Sequence, residues 1–371
     1  MKKLGFGLMR LPQLEDGSVD VELTKRMVDE YLKRGFTYFD TAWMYCNGTS
    51  ENVVKEAIME RYPRDAFTLT TKLPAYMLKT EADRDKIFNE QRRKTGAEFF
   101  DYYLLHDVNS GTLKTFDKLN CFDWIREKKE QGLIKTMGFS YHDGPKLLDE
   151  ILTKHPDMEI VQLQINYLDW ESESVQSRKC YEVARKHGKK VLIMEPVKGG
   201  TLANVPASVE EMFKAHDPSM SVASWAVRFA AGLDGVMMVL SGMSNMEQML
   251  DNLSYMEDFK PLNDEEVKMV HTAADMINGN ITVPCTGCEY CIVNCPMNIN
   301  IPKCFALYNA DKRETAGRDW TAQVGYYNTM LNTSGNPADC VKCGACEAMC
   351  PQHLHIRDYL EDVAAHFAGR D

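Results

Sequence analysis

Positive charge is in short supply here: 43 lysines and arginines face 54 aspartates and glutamates across 371 residues, a formal net charge of −11. That deficit argues against DNA, RNA or an anionic membrane as partner, because affinity for such surfaces rests largely on neutralising phosphates. Long apolar runs are also missing. The most apolar stretch, Ala223 to Met243, is interrupted by Arg228 and Asp234 and reads as a helix, a turn and a strand, so no membrane span is expected. The opening MKKLGFGLMRLP lacks the apolar run and small-residue cleavage site of a signal peptide. A glycine-rich GxGxxG turn after the first strand is absent too, which counts against an open dinucleotide-binding sheet.

Cysteine is plentiful but unevenly placed. Of twelve, nine fall from residue 285 onward, eight of them at metal-ligand spacing rather than in a disulfide framework, and a reducing cytoplasm is the expected compartment. With 44% hydrophobic and 26% charged residues, the chain can bury a sizeable core and is expected to fold as one large and one small unit.

The large unit shows short β-rich runs separated by helical stretches. Strands are predicted at Leu4–Leu8, Tyr38–Thr41, Thr68–Lys72, Tyr102–His106, Ile134–Ser140, Ile160–Asn166, Lys190–Glu195 and Gly235–Ser241, with helices including Val21–Arg34, Glu51–Arg61, Thr115–Gln131, Val175–His187 and Asp264–Ile277. Eight strand–helix units suit a closed (β/α)₈ TIM barrel of class α/β. Asp40, Lys72, His106, Ser140, Asn166, Glu195 and Ser241 all fall near the C-terminal ends of these strands, the face on which barrels build chemistry. The barrel is expected to span residues 1–278, and a small, mainly α-helical ferredoxin-type domain residues 279–371.

In that second unit Cys285, Cys288, Cys291 and Cys295 follow C-x₂-C-x₂-C-x₃-C-P, and Cys340, Cys343, Cys346 and Cys350 repeat the pattern. Three thiolates on one tight loop can reach three irons of a cubane while the fourth reaches the other cluster. Two [4Fe–4S] clusters follow, one on Cys285, Cys288, Cys291 and Cys350, the other on Cys340, Cys343, Cys346 and Cys295. Tetrahedral zinc or disulfides would also use cysteine pairs, but neither requires the third cysteine followed by C-P. Gly287 and Gly344 permit tight loops, and Ile299, Ile301, Leu354 and Ile356 are expected to shield the clusters. Cys121, Cys180 and Cys304 read as ordinary thiols, whereas Cys46 could line a pocket.

The runs FDTAWMY (Phe39–Tyr45), TTK ending at Lys72, DYYLLH ending at His106, GFS (Gly138–Ser140) and QLQIN (Gln162–Asn166) resemble the aldo-keto reductases, and the C-terminal part resembles the dicluster extension of an iron–sulfur branch of that family. The resemblance implies that Tyr45 is the general acid, with Lys72, Asp40 and His106 around it. Lys72 is expected to lower the Tyr45 pKa, Asp40 to orient the lysine, and His106 to hydrogen-bond the substrate oxygen. It further implies cofactor contacts from Ser140 and Gln162, with Asn166 nearby, and from the Leu240–Leu253 segment through Ser241, Gly242, Met243, Gln248 and Asn252. Gln248 and Gly242 stand where arginine and lysine are usual, so NADH or a flavin is expected in preference to NADPH. The loop after Tyr45 is one residue longer than usual, and Ile165 replaces a common tyrosine.

The function expected is an oxidoreductase acting on a small carbonyl compound, with the clusters relaying electrons from a soluble redox partner. The alternatives are an NAD(P)H carbonyl reductase with structural clusters, or an electron-transfer or redox-sensing module without turnover. Met9, Trp43 and Met44 are candidate pocket walls.

Overall fold

The computed structural model describes residues 2–172, 175–278, 281–314, 322–331 and 333–370. Eight parallel strands close in chain order into a barrel: β1 Leu4–Gly7, β2 Tyr38–Asp40, β3 Thr68–Pro74, β4 Phe100–Val108, β5 Ile134–Tyr141, β6 Ile160–Gln164, β7 Lys190–Met194 and β8 Val236–Gly242. Closure is made by β1 against β8, with Leu4 opposite Val239 and Gly7 opposite Gly242. Every expected strand is present, with ends shifted by two residues at most.

Side chains alternate along a strand, and the two sets pack differently. Tyr38, Leu104, Ile160, Leu192, Met238 and Leu240 form one cluster. Phe6, Phe39, Leu69, Tyr103, Leu105, Phe139 and Val161, from neighbouring positions, join the much larger core shared with the helices.

Two helices depart from the periodic reading. The stretch expected as Thr115–Gln131 is two helices, Leu113–Lys118 and Cys121–Glu130, because Asn120 between them takes a left-handed backbone with φ of 49°. The stretch expected from Glu51 starts as an α-helix at Ser50–Val54 and widens into a π-helical turn at Lys55–Met59.

After the helix Asp264–Asn278, the second unit is built from helices at Ile301–Glu314, Ala322–Leu331, Ala345–Ala348 and Ile356–Phe367, with no strand among the described residues. The boundary expected after residue 278 falls at residues 279 and 280, outside those described. Ile299, Ile301, Leu354 and Ile356 are buried in this unit's own core together with Cys291 and Cys346. Gly287 and Gly344 take left-handed backbones, with φ of 66° and 76°.

The cysteine-bearing unit sits over the barrel mouth. The Gln164 and Gln352 amides exchange hydrogen bonds of 2.9 and 2.6 Å. Beside them Lys198 forms a buried ion pair with Asp169 at 2.6 Å. Gly199, with φ of 64°, lies so close to the Thr286 carbonyl that a Cβ there would be 2.0 Å from its oxygen. Only glycine allows that approach.

Candidate active site

Asp40 ends β2, and the loop beyond it carries Tyr45. Its path is fixed by a 2.8 Å contact between the Thr41 and Ser50 hydroxyls and by Ser50 donating to the Leu8 carbonyl at 3.0 Å. Cys46, Asn47 and Gly48 all take positive φ, so the chain reverses tightly after the tyrosine. Lys72 lies within β3 and His106 within β4. All four side chains are buried: Asp40 is 2% exposed, Tyr45 8%, Lys72 0% and His106 5%.

The Lys72 ammonium donates to Asp40 Oδ1 at 2.5 Å, to the Thr41 carbonyl at 2.9 Å and toward the Tyr45 hydroxyl at 3.3 Å. The His106 ring stands edge-on to the Tyr45 ring, with centroids 6.0 Å apart. Strand β3 is held from behind by a network absent from the sequence reading. Glu51 accepts from Thr71 and Gln91 at 2.8 Å each and from Lys94 at 2.9 Å, and Gln91 also donates to the Lys72 carbonyl at 2.9 Å.

The electrostatics differ from expectation at the tyrosine. Burial pushes the Tyr45 phenol well above its ordinary range and Asp40 adds to the rise, so the expected lowering by Lys72 is not found. A phenolate here would sit in a dry site beside a carboxylate, which favours the protonated form. Burial likewise pulls Lys72 down against the pull of Asp40, lifts Asp40 against the pull of Lys72, and drives His106 well below its usual value, leaving a neutral imidazole.

Two spaces open from this centre. A cleft runs from Asp40 and Tyr45 past Gln162 to Ser241, Gly242, Gln248 and Asn252, taking in five of the expected cofactor residues. Two buried acceptors among them have no hydrogen-bond partner: Gln162 Oε1 and Asn252 Oδ1. A second cavity, about 60 Å³, lies between the barrel centre and the cysteine-bearing unit, lined by Tyr45, His106, Ser140, His142, Cys288 and Tyr290 among others. Ser140 takes the Asp107 amide proton at 2.8 Å.

Two expected cofactor residues are elsewhere. The Asn166 amide donates to Asp169 and to the Glu195 carbonyl while its oxygen accepts from the Asp169 amide, so it builds the turn beyond β6. Met243 is fully buried in the core. Of the candidate pocket walls Met9 lines both spaces and Trp43 and Met44 line neither; the Trp43 ring lies under Lys94, 4.5 Å from its ammonium. Cys46 also stays out of them, its thiol turned to the Leu8 and Met9 carbonyls.

All twelve cysteines are free. Burial lifts the thiols of Cys285, Cys288 and Cys291, and in each case the charge of Cys350 adds to the effect, which brings the last cysteine of the second motif to the first three of the first. Conversely Cys295, Cys340, Cys343 and Cys346 ring one small void. The backbone amide of Gly287 donates to the Cys285 sulfur and that of Ile299 to the Cys295 sulfur, both at 3.4 Å.

Residues 3–275 match the model of the aldo/keto reductase family, nearly three-quarters of the chain. The chain belongs to the aldo/keto reductase family. Residues 284–355 of this reductase match a 4Fe-4S dicluster domain. An uncharacterized oxidoreductase, YqkF of Bacillus subtilis, is 23% identical over 309 residues, covering 74% of this chain and 94% of the relative. Among solved structures, an aldo-keto reductase of Klebsiella pneumoniae in complex with NADPH superposes with a TM-score of 0.57 at 18% identity, covering 73% of this reductase and 90% of its own chain. The holo form of aldo-keto reductase AKR11C1 from Bacillus halodurans gives 0.56 at 22% identity, covering 73% and 91%.

This reductase is thus an oxidoreductase, with an iron–sulfur-type domain appended to its barrel. No helix among its described residues is long and apolar enough to cross a membrane. Tyr290, His142 and Asp251, all lining the two spaces or their edge, escaped the sequence reading. They belong to no repeated spacing, and only the docking of distant segments brings Tyr290 to the barrel.

Proposed function

We propose that this aldo/keto reductase reduces a small-molecule carbonyl at Tyr45, with Lys72, Asp40 and His106 as its supporting groups, in a reducing cytoplasm. The observation that carries the reading is the Tyr45 hydroxyl 3.3 Å from a fully buried lysine that is itself fixed to Asp40. A reduced nicotinamide in the cleft would supply hydride to the carbonyl carbon. Tyr45, held protonated by burial, gives its proton to the carbonyl oxygen, and neutral His106 donates a hydrogen bond to the same oxygen. Lys72 stabilises the phenolate left behind, and the product is an alcohol.

The cleft suits a dinucleotide in its donor set. Gln162 Oε1 and Asn252 Oδ1 are acceptors without donors, suited to amide and amine groups. Arg10 is the one lysine or arginine lining the cleft among the described residues, and it lies 3.7 Å from Glu195; near Gln248 the lining includes the Asp251 carboxylate. A 2′-phosphate would meet the Asp251 carboxylate there, and Arg10 is already drawn toward Glu195, which favours NADH over NADPH. A flavin is the alternative, since it handles both paired and single electrons.

For the second unit, taken as residues 279–371 beside a barrel of 1–278, the thiol groupings fit two clusters: Cys285, Cys288, Cys291 and Cys350 would hold one, and Cys340, Cys343, Cys346 and Cys295 the other. Such groups supply one-electron transfer. Cys288 lines the same cavity as Tyr45, which favours an electron relay from a soluble partner over a purely structural role, with the flavin alternative as the group that would gather two single electrons for the carbonyl. Anaerobic purification with iron and sulfide analysis, mass analysis of released cofactor, and assay of aldehyde reduction with NADH and NADPH test the reading together. Absence of aldehyde reduction with either nucleotide in fully loaded protein would remove it.

A further inference from the structure

The cavity over the barrel centre has walls from two units that are far apart in sequence. Tyr45, His106, Gln162 and Glu195 come from the barrel, whereas Cys288 and Tyr290 come from the first cysteine motif. The loop that carries Tyr290 is not loosely placed. Thr286 is 4% exposed and packs its carbonyl onto Gly199, and the guanidinium of Arg10 reaches the same carbonyl at 3.5 Å. Tyr290 is therefore held over the site as part of a fixed roof.

The polar groups of this cavity are unevenly satisfied. Among the described residues neither the Tyr290 hydroxyl nor the His142 imidazole makes a hydrogen bond, although both line the space. Glu195 pairs with Arg10 through Oε1, but its Oε2 is buried with no partner. A buried acceptor left without a donor costs stability, so a ligand that brings a donor is favoured there. A ligand that brings a second negative charge beside Glu195 is disfavoured.

We propose that Tyr290 is a substrate-binding residue of the barrel site, and that with Glu195 it selects compact, uncharged carbonyl compounds bearing a neighbouring hydroxyl group. The inference rests on carbonyl reduction at Tyr45 and deepens that reading. With the substrate carbonyl at Tyr45 and His106, the adjacent hydroxyl donates to Glu195 Oε2 and accepts from the Tyr290 phenol. The space of about 60 Å³ limits the ligand to a compact molecule. Keto acids of similar size are rejected by charge.

The test compares glycolaldehyde with propionaldehyde, which has the same heavy-atom count but no hydroxyl, together with glyoxylate as the charged counterpart. The enzyme is the anaerobic, fully loaded chain. Wild type should favour glycolaldehyde in kcat/KM over both others. Tyr290→Phe should cut the glycolaldehyde-to-propionaldehyde ratio by roughly threefold to tenfold, mainly through KM, as loss of one neutral hydrogen bond dictates. Iron content and cluster absorbance confirm that the loop still holds its ligands. Calorimetric titration of glycolaldehyde into Tyr45→Phe and into Tyr45→Phe/Tyr290→Phe reads binding without turnover, and the second variant should bind more weakly by the same factor. An unchanged ratio and unchanged binding in the Tyr290 variants overturn this proposal while leaving carbonyl reduction intact. Full aldehyde turnover by Tyr45→Phe overturns the underlying reading instead, and absence of turnover and of binding in wild type overturns both.

Discussion

Gln352, from the segment just past the last cysteine, exchanges side-chain hydrogen bonds with Gln164 at the end of β6, at 2.6 and 2.9 Å. Both amides are buried, and the Lys198–Asp169 ion pair touches them: Gln164 donates to Asp169 at 2.8 Å and Lys198 approaches Gln352 at 3.4 Å. The cysteine-bearing unit is thereby tied to the barrel by polar groups that have no water to fall back on. Replacing Gln352 with alanine should cost about 1–3 kcal/mol, the penalty of leaving such groups unsatisfied. Denaturant unfolding of the loaded chain should show the lower midpoint, with iron content kept.

Removing the Tyr45 hydroxyl tests the acid directly. Tyr45→Phe should lower kcat for aldehyde reduction by about 100- to 10,000-fold, the usual range for a lost proton donor. Nicotinamide affinity, followed by fluorescence, should stay near the wild-type value because the phenol is not among the groups expected to hold the cofactor. A comparable loss of nucleotide binding would contradict that division of roles.

The pH profile carries a sign. Burial holds His106 below its ordinary 6.5 and Tyr45 above its ordinary 10.0, so both are in their working forms between those values. The profile of kcat for aldehyde reduction should show no inflection from either group in that window. The acid limb should lie below it, where His106 gains its proton, and the alkaline limb above it. For His106, stability is present above pH 6.5 and declines as the pH falls from there toward its folded-state value, since the unfolded chain binds the proton first. His106→Gln should reduce that decline, measurable by thermal melts at stepped pH.

Gly199→Ala brings a Cβ to 2.0 Å from the Thr286 oxygen at a backbone angle that alanine tolerates poorly. The roof loop should lift from the barrel. Hydrogen exchange over residues 284–291 should speed up, while the barrel strands keep their protection.

The shared-ligand arrangement is open to a pairing test. Cys350→Ser should produce the same electron paramagnetic resonance loss as Cys288→Ser, and Cys295→Ser the same as Cys343→Ser. Each should leave about half the iron, as expected if a set of four thiolates holds each cluster. A pattern that instead follows the two sequence motifs would refute the exchange.

Much of the barrel was legible because strand alternation and helical periodicity are local properties. Tyr45 and the three groups around it could be placed for a related reason: each lies at or next to a strand whose position was already set. What escaped the sequence depends on several segments at once. Asn166 sits at the right strand end, yet the turn through Asp169 claims all of its polar atoms. The Tyr45 ionisation was misjudged because pairing with Lys72 is visible in a sequence, whereas the desolvation that outweighs it is not. Tyr290 and Gln352 acquire their roles only when a helical unit docks onto a mouth assembled from residues hundreds of positions earlier.

The closeness of Cys350 to Cys285, Cys288 and Cys291 bears on how the molecule is made. A nascent chain can emerge with its whole barrel and its first cysteine motif and still lack the Cys350 thiol, the fourth member of the proposed inner set. If Cys350 completes that set of four thiolates, the cluster it holds would be assembled only after translation passes residue 350.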